Sequence, residues 1–258
     1  MRLVLVIEET CFYHPGFVAK FLQNCKDEVV AVALVTKVPD KSNLELYMKK
    51  HWFLLKLSEI LKLGSQKVCA QLLDLSGLSG NGRYYSVRSV LKDFNINYFE
   101  VESNINRSEY LEQFERLQPD VIVSSNSLIF GKKLLSLPKL CCINRHSALL
   151  PSYGGLWPVF QAFRNGETQT GVTIHTMDEE IDKGRILSRR VVPINTGDTI
   201  AKLYLQCFDL SADALIEALE HLRHNSLPEF DNIGAESYYS MPLEEHWREF
   251  RQRGGRFV

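Results

Sequence analysis

An excess of one sign of charge is missing from this chain. Its 258 residues include 30 Lys and Arg against 31 Asp and Glu, which leaves a formal net charge of −1. Proteins that bind nucleic acid or an anionic membrane usually present a basic surface, and the composition shows no such excess. We therefore expect neither a nucleic-acid partner nor a membrane partner. The apolar content of 45% is enough for a packed core.

Long hydrophobic runs and paired cysteine motifs are also missing. No stretch reaches the roughly 20 apolar residues of a membrane helix. The apolar run at residues 3–7 meets Glu8 and Glu9 at once, so it is too short for a secretory signal. The six cysteines show neither disulfide nor metal-ligand spacing. We expect a cytoplasmic protein in a reducing compartment, with no bound metal.

A glycine-rich phosphate loop is the third absence. Residues 3–7 and 29–35 are apolar runs typical of buried parallel strands, and residues 17–25 between them have helical character. Dinucleotide-binding proteins open with the same β-α-β order, but they place a glycine-rich turn after the first strand. Here that turn carries Glu8 and Glu9, whose charges would repel a phosphate.

Strand and helix signals alternate through the first two thirds of the chain. Strands are expected at residues 98–101, 121–124 and 141–144, with helices at 109–117 and 132–135. This alternation predicts an α/β fold, a three-layer sandwich with a mostly parallel, Rossmann-like sheet. Open sheets of this kind bind ligands at the carboxyl ends of their strands.

The remaining segments complete the expected organisation. Residues 44–75 predict one long or broken helix, and residues 155–164 predict another. Asp198 is a candidate cap for the helix that would close the main domain. We expect one domain over residues 1–225 and an aromatic tail over 226–258 that packs back on the core or on a second subunit, as in a homodimer.

The most informative segment joins an amide, an imidazole and a later carboxylate. Asn144 and His146 alternate at the end of a predicted strand, so their side chains point to the same face. Pro151 keeps the residue before it out of the helical region. Asp182 follows after an intervening strand. Each residue alone is more often structural, but the ordered set is harder to dismiss.

These groups suit the transfer of an acyl group to an amine. The reaction passes through a tetrahedral intermediate, and Asn144 and a protonated His146 can donate hydrogen bonds to its oxyanion. Asp182 can orient the imidazole and accept a proton, and burial is expected to raise its pKa. His175 fits a structural histidine as well as a site residue. A metal site built from His175, Asp178 and Asp182 lacks a usual ligand spacing.

The motifs resemble those of a known family. Asn144-x-His146-x-x-Leu149-Leu150-Pro151, then Thr170-Gly171-Val172-Thr173-Ile174-His175, then Asp182-x-Gly184 are similar to the core of the folate-dependent formyltransferases. That family includes glycinamide ribonucleotide, methionyl-tRNA and sugar N-formyltransferases. The resemblance implies that Asn144, His146 and Asp182 are catalytic and that N10-formyltetrahydrofolate is the formyl donor.

The resemblance also implies where the donor's pterin ring binds. It would lie between two loops whose residues are Ser127, Leu128, Ile129 and Phe130 in the first, and Met177, Asp178, Glu179, Glu180 and Ile181 in the second. A flat ring needs apolar walls, which Leu128, Ile129 and Phe130 can supply.

Arg145 departs from the family pattern, which usually has an aliphatic residue between the two catalytic positions. A buried arginine needs carboxylate or carbonyl partners, so we expect an altered packing layer or an interface at Arg145. The missing glycine-rich loop disfavours glycinamide ribonucleotide as substrate. The neutral composition and the short tail disfavour methionyl-tRNA.

We therefore expect formyl transfer to the primary amine of a small molecule, with a nucleotide-linked amino sugar as the favoured acceptor. Three alternatives remain open. The same residues could hydrolyse formyltetrahydrofolate, the chain could be a methionyl-tRNA formyltransferase-like enzyme, or it could be an inactive folate-binding protein.

Overall fold

A seven-stranded sheet forms the centre of the protein, in a computed structural model that describes residues 1–40, 43–80, 82–230 and 234–258. The described strands are β1 (Arg2–Glu8), β2 (Glu28–Lys37), β3 (Tyr98–Glu102), β4 (Val121–Ser125), β5 (Cys141–His146), β6 (Gly154–Gly155), β7 (Gln169–Thr176), β8 (Ile186–Pro193) and β9 (Tyr238–Tyr239). Of these, β6 and β9 pair with each other outside the main sheet. The strand order in the main sheet is β3-β2-β1-β4-β5-β7-β8. The first five are parallel, and β7 and β8 continue the sheet in antiparallel pairs.

Helices cover both faces of this sheet. They are α1 (His14–Asn24), α2 (Leu44–Lys50), α3 (Leu57–Leu75), α4 (Val87–Asp93), α5 (Ser108–Leu117), α6 (Lys132–Leu135), α7 (Pro158–Asn165), α8 (Ile200–Arg223) and α9 (Glu244–Gln252). Buried residues of α1, α4 and α8 pack on one face, and those of α5 and α6 pack on the other. The predicted three-layer α/β sandwich with a mostly parallel sheet is confirmed.

The central strand shows why this sequence forms a parallel sheet. In β1, Leu3 and Leu5 point into the core under α1 and α8, whereas Val4 and Val6 point into the opposite core. All four are at most 1% exposed. A strand covered on both faces needs a continuous apolar run rather than an alternating one, and β1 has such a run.

Two of the expected helix starts are wrong. Helix α7 begins at Pro158 rather than at residue 155, because Gly154–Gly155 forms β6 and pairs with β9 of the tail. Thr199, not Asp198, caps α8, since its hydroxyl accepts a hydrogen bond from the Lys202 N–H at 3.2 Å. Asp198 instead accepts from the Asn195 N–H at 2.8 Å and holds the loop before the helix.

The helical segment between residues 44 and 75 is broken. A 3₁₀ turn at Trp52–Leu54 separates α2 from α3. Most of α3 stands away from the core, with Leu57 and Leu61 more than 60% exposed. Within the described ranges, none of the helices combines the length and apolarity needed to cross a bilayer.

The C-terminal tail packs against the main body of the protein. Trp247 and Phe250 in α9 are buried against Trp157 and Phe160. The Trp247 indole N–H donates to the Tyr47 hydroxyl at 2.7 Å, so the tail also holds α2 in place. The expected domain boundary near residue 225 stays a prediction.

Replacing Trp247 by alanine should destabilise the fold. The side chain is 2% exposed, so its removal leaves a cavity and should lower the free energy of unfolding by about 3–5 kcal/mol. Trp52→Ala is the matched control, because Trp52 is 63% exposed and its loss should change stability by less than about 0.5 kcal/mol. Urea denaturation measures both. Equal losses would show that the tail does not contribute to the cooperative core.

Candidate active site

Two strand pairings set the framework of the site. Strand β5 lies parallel to β4 and antiparallel to β7, in a register that places Asn144 opposite His175. Asn144 and His146 follow each other on one face of β5, as the alternation of a strand requires. Both line a cavity of about 330 Å³ at the carboxyl ends of β1, β4 and β5.

Asp182 lies at the centre of the polar groups in this cavity. One carboxylate oxygen, Oδ2, accepts a hydrogen bond from the Gly155 N–H at 2.8 Å and lies 3.8 Å from His146 Nδ1. The other, Oδ1, lies 3.6 Å from His175 Nε2. The Asn144 amide is 3.2 Å from the same His175 nitrogen. The structure thus brings Asn144, His146 and Asp182 together.

His175, whose place the sequence left undecided, lies in the same polar network. It is 2% exposed and contacts both Asn144 and Asp182. The signal that could have identified it is the β5–β7 register, which no single-strand pattern reveals. The Thr176 carbonyl, 2.8 Å from His175 Nδ1, can only accept, so Nδ1 carries a proton and Nε2 faces the cavity.

The orientation of His146 follows from the same argument. Its Nε2 donates to the Tyr153 carbonyl at 2.8 Å, so Nδ1 is the nitrogen that faces Asp182. Burial lowers the pKa of His146, and the Asp182 carboxylate only partly offsets this effect. The imidazole is therefore neutral at pH 7, and the expectation of a protonated His146 is wrong for the site as described.

The expected shift of Asp182 is also wrong in direction. Burial alone would raise its pKa, as the sequence argument assumed. The neighbouring His146 and His175, together with the Gly155 N–H, outweigh burial and lower the pKa below the ordinary value of 3.8. Asp182 is thus an ionised carboxylate beside a neutral imidazole, which makes the pair a proton acceptor.

The two loops named from the sequence border the same cavity. Its lining includes every expected residue of both, namely Ser127, Leu128, Ile129, Phe130, Met177, Asp178, Glu179, Glu180 and Ile181. Leu128 and Phe130 are each 5% exposed and join the core, whereas Ile129 and Ile181 are about half exposed. Asn126, which the sequence argument did not single out, shapes the first loop by accepting from the Leu128 N–H at 2.7 Å.

Arg145 lines another part of the cavity, on the opposite face of β5. Its Nε donates to the Ser211 hydroxyl at 2.9 Å, and one terminal nitrogen donates to the Ser147 hydroxyl. The guanidinium carbon lies 3.6 Å from the centre of the Phe208 ring. The expectation that Arg145 has a carboxylate or carbonyl partner is therefore wrong for the described residues. Its partners are the hydroxyls of Ser211 and Ser147 and the face of the Phe208 ring.

The two carboxylates after β1 have different environments. Glu9 accepts from the N–H groups of Val87 and Arg88 at 2.9 and 3.0 Å and so caps α4. Glu8 lines the cavity, where burial raises its pKa to about 7. His14 also lines it, and burial lowers the pKa of this imidazole to about 3. Of the two carboxylates after β1, Glu8 is therefore the one that could repel a phosphate in the cavity.

Two further observations concern side chains beyond this network. Trp157 belongs to the aromatic cluster with Trp247 and is not part of the cavity lining. Among the described residues, no group of three His, Cys, Asp or Glu side chains is arranged to hold a metal ion.

Comparison with known proteins assigns the fold and these motifs to a family. The family model described as "Formyl transferase" matches residues 14–219, which include β4, β5 and β7 and the whole polar network described above. The chain belongs to the formyltransferase family. The resemblance expected from the motifs is therefore confirmed.

The curated relatives of this formyltransferase-family chain are methionyl-tRNA formyltransferases. That of Thermotoga maritima is 38% identical over 152 residues, which cover 57% of this chain and 48% of the relative. That of Thermotoga neapolitana is 44% identical over 125 residues, covering 48% and 40%. The chain spans about half the length of the curated relatives it matches.

Solved structures share the fold at lower identity. Glycinamide ribonucleotide transformylase 1 from Symbiobacterium toebii matches with a TM-score of 0.60 and 15% identity, covering 87% of this chain and 88% of that one. The N-formyltransferase from Helicobacter canadensis, solved with folinic acid and dTDP-3-aminofucose, matches with a TM-score of 0.59 and 17% identity, covering 97% and 80%. At such identities the likeness supports the formyltransferase fold alone.

Glu8 should make the stability of this formyltransferase-family chain depend on pH. Its pKa in the folded state is about 7, above the ordinary 4.5, so ionisation opposes folding and stability is lost as pH rises from 4.5 to 7. Glu8→Gln removes that loss. The melting temperature of the variant minus that of the wild type should grow over this range and level off above it. Glu229→Gln is the control, because Glu229 is exposed. If the difference in melting temperature between Glu8→Gln and the wild type did not change with pH, the raised pKa of Glu8 would be contradicted.

Proposed function

We propose that this chain transfers a formyl group from N10-formyltetrahydrofolate to the primary amine of a small molecule, with a nucleotide-linked amino sugar as the favoured acceptor. The observation that carries the proposal is the convergence of Asn144, His146 and Asp182 on one cavity. Membership of the formyltransferase family supports the reaction class.

The three polar side chains would divide the chemistry between them. The side-chain amide of Asn144 has two N–H groups, and its nitrogen lies 3.2 Å from His175 Nε2. One of these N–H groups would donate to the oxygen that gains negative charge when the amine attacks. Asp182, ionised and next to His146, would take the proton that the amine releases. His146 is neutral before reaction, so it would stabilise the developing negative charge fully only after it shares that proton.

The cavity fits the formyl donor. When bound, N10-formyltetrahydrofolate supplies the formyl group on a nitrogen that can leave. Leu128 and Phe130 offer buried apolar walls for its flat ring, and Ile181 adds an apolar side chain from the facing loop. Backbone groups of the two loops would bind the polar edge of the ring.

Two acceptor classes have support of different kinds. The Helicobacter canadensis neighbour, solved in complex with dTDP-3-aminofucose, aligns with 97% of this chain and supports an amino sugar as acceptor. The curated relatives act on methionyl-tRNA by name, but this chain covers less than half of the T. maritima relative's length. The balanced charge of the chain shows no excess of positive charge for binding tRNA, which favours the small acceptor.

Removing the carboxylate or the imidazole should nearly abolish transfer. Asp182→Asn and His146→Ala should each lower kcat/KM by about 10²- to 10⁴-fold, because each removes a proton-transfer or charge-stabilising group. The measurement is mass gain of a formyl group on the acceptor in the presence of N10-formyltetrahydrofolate. Asp209→Asn is the control, since Asp209 lies on the exposed side of α8. Full activity of both site variants would contradict these roles, and no mass gain even with the wild type would favour an inactive folate-binding protein.

Formate release separates transfer from hydrolysis. A transferase excludes water from the cavity until the amine is bound, so formate production without an amine should be at least about 10²-fold slower than transfer. The assay measures formate with the donor alone and with a panel of nucleotide-linked amino sugars and aminoacyl-tRNA. Rapid formate release with no acceptor would instead make the chain a hydrolase.

A further inference from the structure

The cavity continues around the carboxyl end of β5. Asn144 and His146 line it from one face of the strand, and Arg145 lines it from the other. The groups near Arg145 come from α1 and α8 and include His14, Tyr204 and Phe208. We call this part the α1/α8 compartment. It contributes no side chain to the Asn144, His146 and Asp182 network.

Arg145 is a buried cation that lacks a counterion in the described part of the chain. Its side chain forms no salt bridge there, and its hydrogen bonds go to the hydroxyls of Ser211 and Ser147. Burial lowers the pKa of Arg145 to about 10, so the guanidinium remains charged at neutral pH. Removing such a charge from water is costly unless a negative group compensates it.

The present partners of Arg145 orient it without neutralising it. The two hydroxyls accept from Nε and from one terminal nitrogen, and they leave the other terminal nitrogen without a hydrogen bond among the described residues. The face of Phe208 attracts the cation but carries no net charge. A planar guanidinium held in this way matches an oxyanion that accepts two parallel hydrogen bonds.

Arg145 is the one permanently positive side chain among the described residues that line the cavity. His14 is neutral because burial lowers its pKa, and its Nε2 donates to the Ser125 carbonyl at 3.0 Å. The acidic lining residues Asp178, Glu179 and Glu180 belong to the second loop. An anionic ligand group would therefore bind in the α1/α8 compartment.

We propose that Arg145 binds an oxyanion of the acceptor, a carboxylate or a phosphate, and so selects acceptors that carry negative charge. This inference rests on the proposed formyl transfer and narrows its substrate class. Arg145 is thus a specificity-determining residue, while the bond-making groups lie on the other face of β5.

Matched pairs of acceptors test the proposal directly. The pairs are glucosamine 6-phosphate with glucosamine, a nucleoside-diphosphate amino sugar with the free amino sugar, and an amino acid with its amide. Wild-type protein should formylate at least one anionic member with kcat/KM about 10-fold or more above its neutral partner. In Arg145→Leu, KM for that anionic acceptor should rise by about 10- to 100-fold, with kcat little changed.

The neutral acceptor is the internal control. Its kcat/KM should be the same in wild type and in Arg145→Leu, because it has no group for the guanidinium to bind. Arg145→Lys keeps the positive charge but loses the planar pair of parallel N–H donors, so it should retain only part of the preference for the anionic acceptor. Equal loss for anionic and neutral acceptors, or no preference in the wild type, would overturn the assignment.

A binding measurement separates this inference from the proposed function. Inorganic phosphate and malonate should raise the melting temperature of the wild type, and Arg145→Leu and Arg145→Lys should reduce that shift. If the anions stabilise the wild type more than the variants but no acceptor is formylated, the proposed formyl transfer is wrong and the anion site is supported. If transfer occurs without preference and neither anion stabilises the wild type, the anion site alone fails.

Discussion

The contact between the Asp182 carboxylate and the Gly155 N–H is the constraint on which the site depends. Through it, the loop after β7 is joined to β6, and the carboxylate is held between His146 and His175. An ionised group at this depth needs polar partners. The Gly155 N–H donates a hydrogen bond to it, and the imidazoles of His146 and His175 lie 3.8 and 3.6 Å away. Without this anchor the amide and imidazole of β5 would face the cavity without a neighbouring carboxylate.

The surroundings of that contact divide the cavity by charge. On the side of the loop after β7, the cavity is lined by acidic side chains and by the ionised Asp182 carboxylate, together with Asn144 and His146. On the α1/α8 side, the permanent charge is that of Arg145, and it is positive. The strand β5 carries both environments because its alternating side chains point to opposite faces. One strand end can therefore orient a polar ligand along the cavity.

The sequence predicted those features that depend on local periodicity. Continuous apolar runs identified the parallel strands, and alternation placed Asn144 and His146 on one face. The choice of Asp182 and of the two loops came from family motifs, because no local pattern joins positions so far apart. The partners of Arg145 could not be predicted, since Ser211 lies 66 residues away on α8. The pKa of Asp182 was misjudged for the same reason, because the effect of His175 depends on the β5–β7 register.

The short pairing of β6 with β9 joins the C-terminal tail to the Asp182 carboxylate. Gly155 has φ +89°, and a Cβ there would lie 2.1 Å from the Tyr239 carbonyl, so the tail strand fits directly against the glycine whose N–H holds Asp182. The final aromatic helix keeps that strand in place by burying Trp247 and Phe250 in the core. A segment far from the motifs in sequence thus supports the glycine that holds Asp182, and loosening of the tail would displace this carboxylate before it disturbed the central sheet.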